Sequence, residues 1–243
     1  MLIDHFDEPV AAHYDATEAA MFEPAAVDPA VTVLAGLAGD GRALEFGIGT
    51  GRLGLPLHAR GVPVHGIDLS TAMVARLRAK PGAEGIDVTI GDFATTVVPG
   101  TFRVAYLVFN TITNLTTQDA QVACFENAAR HLEPGGTFVI EVFVPELQRV
   151  PSGESVRAHP VGPTRLDVDE YDIASQTLRS HHFRRRDGQW SGWSLPFRYV
   201  WPAELDLMAR IAGMRLRERW ADWHGTPFTS GSEQHVSIWE KVG

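Results

Sequence analysis

Short apolar runs alternate with amphipathic helical segments between Val31 and Pro145. This alternation is typical of β-α-β units and of a largely parallel sheet. The predicted strands are residues 42–46, 63–68, 87–92, 102–109 and 137–144. The last two runs are largely apolar, which indicates burial on both faces, so we expect them at the centre of the sheet.

Two helices are predicted among these strands. Apolar residues recur at steps of three and four over residues 118–132, which indicates an amphipathic helix, and Pro134-Gly135-Gly136 ends it. Ser70 precedes a second helical run, residues 71–80, where its side chain fits the N-cap position. Cys124 lies beside the apolar face of the first helix and is predicted to fill the core.

The pattern changes after Pro145, where a loop rich in proline and glycine is followed by strand-like runs without an intervening helix. These runs are residues 164–173, 176–186 and 189–201, and Asp187-Gly188 between the last two is a strong hairpin signal. They predict an antiparallel insert. A helix over residues 202–212 and two closing strands, 214–220 and 234–242, complete the pattern.

Composition and charge narrow the classes of protein that fit. The chain has 243 residues, of which 44% are hydrophobic and 21% charged, as in ordinary globular domains. A formal net charge of −9 makes nucleic acid a poor partner. The sequence has a single cysteine, no metal-ligand spacing and no apolar run near the roughly 20 residues that span a bilayer. We therefore expect a cytoplasmic protein without a metal site or membrane contact.

Three alternate glycines follow the first predicted strand and form a candidate ligand-binding loop. Residues 49–54 match G-x-G-x-x-G, the dinucleotide fingerprint, but that interpretation leaves Glu45 and Gly47 unexplained. Residues 45–51 match E-x-G-x-G-x-G, which uses both. Glycines in such a loop let backbone amides approach a ligand at the carboxyl end of the sheet.

The second pattern resembles the class I (Rossmann-like) S-adenosylmethionine-dependent methyltransferases, and further motifs match in the family's order. They are Asp68 at the end of the second strand, Gly91-Asp92-Phe93 after the third, Phe109-Asn110 after the fourth and Leu132-Glu133-Pro134-Gly135-Gly136 before the fifth. The resemblance covers residues 42–144 and implies an α/β fold. That fold is a doubly wound, seven-stranded, mostly parallel sheet with helices on both faces and a small antiparallel insert after the fifth strand.

The resemblance also implies a cofactor, S-adenosyl-L-methionine, which leaves as S-adenosyl-L-homocysteine. Glu45 would lie near the ammonium group of the cofactor, Asp68 would bind the ribose hydroxyls and Asp92 would meet the adenine amino group. Met73 would cover adenine, and Tyr14 would help to close the site. The implied cofactor-binding residues are Tyr14, Glu45, Gly47, Gly49, Thr50, Gly51, Asp68, Leu69, Met73, Gly91, Asp92, Phe93, Phe109 and Asn110.

Similar bacterial enzymes act on small molecules of natural-product pathways, so the expected partner is a small-molecule acceptor, with the protein a monomer or homodimer. Methyl transfer to an N or O nucleophile is an in-line displacement, and a protonated amine or a hydroxyl needs a base. The candidate bases are His181, His182, His224 and Glu141. The alternatives are an NAD(P)-dependent oxidoreductase and a cofactor-binding protein without catalysis.

We expect four parts along the chain. Residues 1–30 would form a helical lid and residues 31–150 the cofactor-binding core. Residues 151–201 would form the insert over the acceptor pocket, and residues 202–243 the last helix and closing hairpin of the core.

Overall fold

The computed structural model describes residues 4–159 and 161–243. Its strands form two sheets. In chain order they are β1 Ala43–Phe46, β2 Val64–Asp68, β3 Asp87–Ile90, β4 Phe102–Leu107, β5 Leu132–Phe143, β6 Val156–Ala158, β7 Arg165–Asp172, β8 Thr177–Arg186, β9 Gln189–Arg198, β10 Met214–Trp220 and β11 Gln234–Lys241.

The larger sheet has seven strands in the order β10-β11-β5-β4-β1-β2-β3. The neighbouring strands β3, β2, β1, β4 and β5 run parallel to one another. Strand β11 lies between β5 and β10 and runs antiparallel to both. This confirms the predicted seven-stranded, mostly parallel sheet. The prediction that β4 and β5 are inner strands is confirmed as well.

Helices cover both faces of this sheet. They are α1 Glu8–Ala11, α2 Tyr14–Thr17, α3 Pro24–Ala38, α4 Gly54–Ala59, α5 Thr71–Arg78, α6 Gln118–His131 and α7 Pro202–Ile211. Leu34 of α3 and Leu57 of α4 belong to one buried cluster, while Phe125 of α6 and Leu205 of α7 belong to the other. The fold is therefore doubly wound, as expected.

Local signals set the helix ends. The Ser70 hydroxyl accepts a hydrogen bond from the Met73 amide at 3.2 Å, which confirms Ser70 as the N-cap of α5. Cys124 is fully buried, as predicted. The boundary predicted between residues 30 and 31 falls inside α3, a helix that the sequence patterns did not define as one element.

The insert is a four-stranded antiparallel sheet in the order β6-β7-β8-β9. Asp187 and Gly188 join β8 to β9 with positive φ angles of 51° and 79°, which confirms the predicted hairpin. β6 lies in the segment predicted to be a loop. This prediction was wrong because a three-residue strand shows too little alternation to stand out.

Several strand ends differ from the predictions. β4 ends at Leu107 instead of residue 109, because Phe109 and Asn110 turn the chain with φ angles of 56° and 61°. β5 begins at Leu132, directly after α6, so Pro134-Gly135-Gly136 lies within the strand instead of before it. Within residues 4–159 and 161–243, no helix is long and apolar enough to cross a membrane.

Candidate active site

The glycine loop takes a conformation that other residues rarely adopt. Gly47 and Gly49 have φ angles of 69° and 56°. A Cβ on Gly47 would lie 2.8 Å from Cγ2 of Thr111, so a side chain there would collide with the turn after β4. A Cβ on Gly49 would lie 3.4 Å from Cε of Met73. The loop is therefore held close to its neighbours and exposes backbone to the space beyond β1.

Asp68 ends β2 beside this loop. One carboxylate oxygen accepts a hydrogen bond from the Gly49 amide at 2.6 Å, and the other accepts one from the Ser70 amide at 2.8 Å. Asp68 is only 9% exposed, and burial raises its pKa although the two amides oppose the shift. The carboxylate thus fixes the loop and has lone pairs left for further donors.

Asp92 and Phe93 follow β3 at the same edge of the sheet. Asp92 Oδ1 accepts a hydrogen bond from the Ala94 amide at 2.9 Å, which closes a turn. Phe93 stacks on Phe46, with ring centroids 5.9 Å apart. Because β2 and β3 are parallel neighbours, their carboxyl ends bring Asp68 and Asp92 to one place.

These groups surround a cavity of about 790 Å³ that opens to solvent. Eight of the predicted cofactor-binding residues line it. They are Tyr14, Gly47, Gly49, Asp68, Leu69, Met73, Asp92 and Phe93. The cavity combines three carboxylates, those of Asp4, Asp68 and Asp92, with exposed loop backbone and apolar side chains, which suits a ligand with both polar and aromatic parts.

The other predicted cofactor-binding residues are not part of this lining: Glu45, Thr50, Gly51, Gly91, Phe109 and Asn110. Glu45 lies on β1 directly opposite Tyr106 of β4, is buried, and accepts a hydrogen bond from the Tyr106 hydroxyl at 2.9 Å. Burial raises the pKa of Glu45 to about 8, although the Tyr106 hydrogen bond opposes the shift. Its carboxyl group therefore contacts the neighbouring strand and does not border the cavity.

The N-terminal segment supplies part of the cavity wall. Tyr14 lines the cavity, and burial raises its pKa to about 12. The neighbouring Asp15 accepts a hydrogen bond from the Thr50 hydroxyl at 2.6 Å and pairs with Lys80 at 2.5 Å. These contacts tie α2 to the glycine loop and to the end of α5. Thr50 therefore contacts Asp15 and does not line the cavity.

Seven lining residues were not among the predicted cofactor-binding residues: Asp4, His5, Phe6, Ser70, Thr111, Asn114 and Leu115. The Ser70 hydroxyl donates a hydrogen bond to the Phe6 carbonyl at 2.5 Å, so the N-terminal residues follow the end of β2. Ser70 and Thr111 directly follow the predicted residues Leu69 and Asn110, and that adjacency was the available signal. Residues 4–6 showed no sequence pattern that would place them at the site.

The four predicted bases lie outside this cavity. His181 and His182 are on β8, where His181 contacts the Ser194 hydroxyl and His182 contacts Asp167. His224 is exposed in the loop between β10 and β11. Glu141 accepts hydrogen bonds from the Trp223 indole at 2.7 Å and the Phe109 amide at 3.0 Å, which makes it a link between loops.

Comparisons with known proteins agree with this geometry. Residues 43–136 match a family described as a methyltransferase domain. The chain is 28% identical over 206 residues to a cypemycin N-terminal methyltransferase from Streptomyces, over 83% of this chain and 84% of the relative.

Solved structures are similar over most of their length. The CcbJ methyltransferase from Streptomyces caelestis has 35% sequence identity and a TM-score of 0.80, over 88% of this chain and 89% of that one. CalS10, an amino pentose methyltransferase from Micromonospora echinaspora, shares the fold with a TM-score of 0.68 and 22% identity, over 93% of this chain and 95% of that one.

Proposed function

The chain belongs to the class I S-adenosylmethionine-dependent methyltransferases, and from this we propose that it moves the methyl group to an N or O nucleophile of a small molecule by in-line displacement. An amine nitrogen is the favoured nucleophile. The relatives support this choice, because one is named an N-terminal methyltransferase and another an amino pentose methyltransferase.

The residues around the first cavity fit the cofactor. Asp68 would take the ribose hydroxyls, because a carboxylate has acceptor lone pairs for two donors. Asp92 would take the adenine amino group, and Met73 and Phe93 would contact the ring. The glycine loop has the positive φ angles and close packing that let its backbone meet the methionine end.

Arg52 offers one further partner for the cofactor. Its Nη2 atom is buried and has no hydrogen-bond partner among residues 4–159 and 161–243. The guanidinium group stacks 5.0 Å from the centre of the Phe109 ring, beside the turn after β4. An unpaired buried donor is costly, and a carboxylate such as that of the methionine part would satisfy it.

When bound, S-adenosylmethionine supplies an electrophilic methyl group on a sulfonium centre. The chain's contribution is to hold the reacting atoms in line and to exclude bulk water, and alignment is worth up to about 7–11 kcal/mol in favourable cases. Phe6 and Tyr14 of the N-terminal segment are part of the wall that limits access of water.

One observation carries this proposal. Two carboxylates at the ends of adjacent parallel strands and a glycine loop with positive φ angles border a single cavity. Glycines that only form turns and acids that only cap strands would not need to border one cavity. Their convergence therefore supports a ligand site.

The test uses methyl-labelled S-adenosylmethionine and a metabolite extract, with mass spectrometry of the products. We expect the label on a nitrogen of a small molecule with wild-type protein and with Asp87→Asn, whose carboxylate lies at the opposite end of β3. Asp68→Ala should lose the labelled product. Label on carbon or only on macromolecules, or equal labelling with Asp68→Ala, would contradict the proposal.

A further inference from the structure

A second cavity lies between the insert and the large sheet. It has a volume of about 1180 Å³ and is lined by Asn110, Phe143, Glu146, His159, Asp169, Tyr171, Leu178, Glu233 and Gln234. Asn110 begins the turn after β4, and the next residue, Thr111, lines the first cavity. The two cavities therefore border the same turn. Apolar and acidic side chains both contribute to the lining of the second cavity.

Asp169 of β7 is the least satisfied polar group of this lining. Its Oδ2 atom accepts from Nε2 of His159 at 2.8 Å. Its Oδ1 atom is buried and has no hydrogen-bond partner in the described residues, and Asp169 as a whole is only 9% exposed. A buried carboxylate oxygen without a donor is costly, so this atom indicates a ligand that carries N–H or O–H groups.

Charge favours a cation among such ligands. Glu146 and Glu233, the other two carboxylates of the lining, both pair with Arg149. Arg157 stands opposite Asp169 in the β6–β7 pairing, but its guanidinium pairs with Glu146. Within residues 4–159 and 161–243, no arginine or lysine pairs with Asp169, and the His159 imidazole is the one side chain that hydrogen-bonds to its carboxylate.

His159 is placed to act as a base. A carboxylate that accepts from Nε2 holds the proton on that nitrogen and leaves Nδ1 as the basic one. The His159 side chain is about one-third exposed and lines the cavity. The pair has the arrangement in which a carboxylate orients an imidazole for proton transfer.

We infer that the second cavity is the acceptor site, that it takes a protonated amine with an apolar body, and that His159, oriented by Asp169, removes the amine proton. This inference rests on the proposed function. Asp169 Oδ1 accepts one N–H of the amine, and Nδ1 of His159 takes a proton. The freed nitrogen lone pair forms the bond to the methyl carbon, while the carbon–sulfur bond breaks and its electron pair stays on sulfur.

A matched pair of probes tests the binding step without turnover. Benzylamine and benzyl alcohol have nearly the same shape but differ in charge, and the aromatic body suits Phe143, Tyr171 and Leu178. With protein saturated by S-adenosylhomocysteine, NMR titration should show benzylamine binding about tenfold more tightly than benzyl alcohol. Soaked crystals should place its ammonium group at Asp169.

Two variants identify the responsible carboxylate. Asp169→Asn should weaken benzylamine binding by about tenfold and leave benzyl alcohol within about twofold. Glu170→Gln makes the same chemical change at the next residue, on the exposed face of β7, and should change neither affinity. Equal binding of the two probes, no binding of benzylamine, or the same losses in both variants would overturn the inference.

Transfer of a labelled methyl group to benzylamine tests the base. His159→Gln keeps a donor for Asp169 but removes the base, so kcat should fall about a hundredfold with little change in KM. The defect should shrink as the pH approaches the pKa of benzylamine, because the free amine needs no base. A pH-independent defect, full activity of the variant, or no methylation of bound benzylamine would contradict the role.

Failure of this inference can be distinguished from failure of the proposed function. Protein that binds S-adenosylhomocysteine normally but does not bind benzylamine refutes the acceptor site alone. Protein that does not bind S-adenosylhomocysteine refutes the cofactor site on which both depend.

Discussion

The two sheets place their polar side chains differently. In the seven-stranded sheet the inner strands are buried, and two carboxylates that line the first cavity, Asp68 and Asp92, lie at or just beyond strand ends. In the four-stranded sheet, Asp167 and Asp169 lie within β7 and are buried on one face. Polar side chains at the ends of parallel strands can be located from the order of the strands along the chain. Polar side chains that meet on the face of an antiparallel sheet can be located only when the pairing of the strands is known.

The largest effect on stability is expected where the end of the insert contacts helix α7. Arg198, at the end of β9, is 4% exposed and pairs with Glu204 of α7 at 2.7 Å. Arg198→Ala leaves the Glu204 carboxylate without its cation and should lower the free energy of unfolding by about 3–5 kcal/mol, measured by urea denaturation. Arg186→Ala, at the exposed hairpin end, is the control and should cost less than about 0.5 kcal/mol.

A smaller effect is expected at the strand end that binds the cofactor. Asp68→Ala should weaken S-adenosylhomocysteine binding by up to about 3 kcal/mol in calorimetry, because the ribose loses a charged acceptor. Asp87→Asn should bind normally, since Asp87 begins β3 at the far edge of the sheet. Unchanged affinity in Asp68→Ala would mean that the ligand uses other groups.

On the buried face of the insert, Asp167 should make the free energy of unfolding depend on pH. Burial raises the pKa of Asp167, but hydrogen bonds from Arg184, Arg165 and His182 outweigh it and lower the pKa to about 2. Because the folded pKa lies below the unfolded value, this stabilisation is complete above about pH 4 and is lost as pH falls toward 2.

Comparison with Asp167→Asn isolates this contribution. Wild-type protein should exceed the variant in free energy of unfolding by about 2 kcal/mol at pH 7, and the gap should close between about pH 4 and pH 2. Thermal unfolding across this range measures it. A gap that stays constant with pH would show that Asp167 stabilises the sheet by packing and not by its charge.

The smallest effect on binding is expected at Glu45. Glu45→Gln keeps an acceptor for the Tyr106 hydroxyl and should change S-adenosylhomocysteine affinity less than about threefold. The pKa of about 8 also means that wild-type stability should fall, relative to the variant, as pH rises from about 4.5 to 8, since folding favours the protonated acid. A large loss of affinity would instead support the predicted contact of Glu45 with the ammonium group.

Most of the large sheet could be predicted from sequence. Its inner strands β4 and β5 show largely apolar runs, and its glycine loop and strand-end acids stand in one local order, so Gly47, Asp68 and Asp92 were found together. Glu45 belongs to the same motif, but the motif does not show that β1 lies between two strands and that Tyr106 stands opposite. The contacts of the Glu45 carboxyl group therefore depend on its burial in the sheet, which the motif does not reveal.

The chemistry of the insert could not be predicted in the same way. His159 follows a strand too short to recognise, and it meets Asp169 only after the chain reverses into β7. His181 and His182 were candidate bases because they lie on the insert, where strand alternation would turn one of them toward the pocket, yet neither lines either cavity described here. Cross-strand register decides such contacts, and single-sequence patterns do not specify it.

The most direct test is a crystal structure of the protein with S-adenosylhomocysteine. We expect the ribose hydroxyls within hydrogen-bond distance of the Asp68 carboxylate, the adenine ring against Phe93 and Met73, and its amino group at Asp92. A nucleoside bound in another cavity, or an Asp68 carboxylate that keeps only the Gly49 and Ser70 amides as partners, would contradict the assignment of the cofactor site.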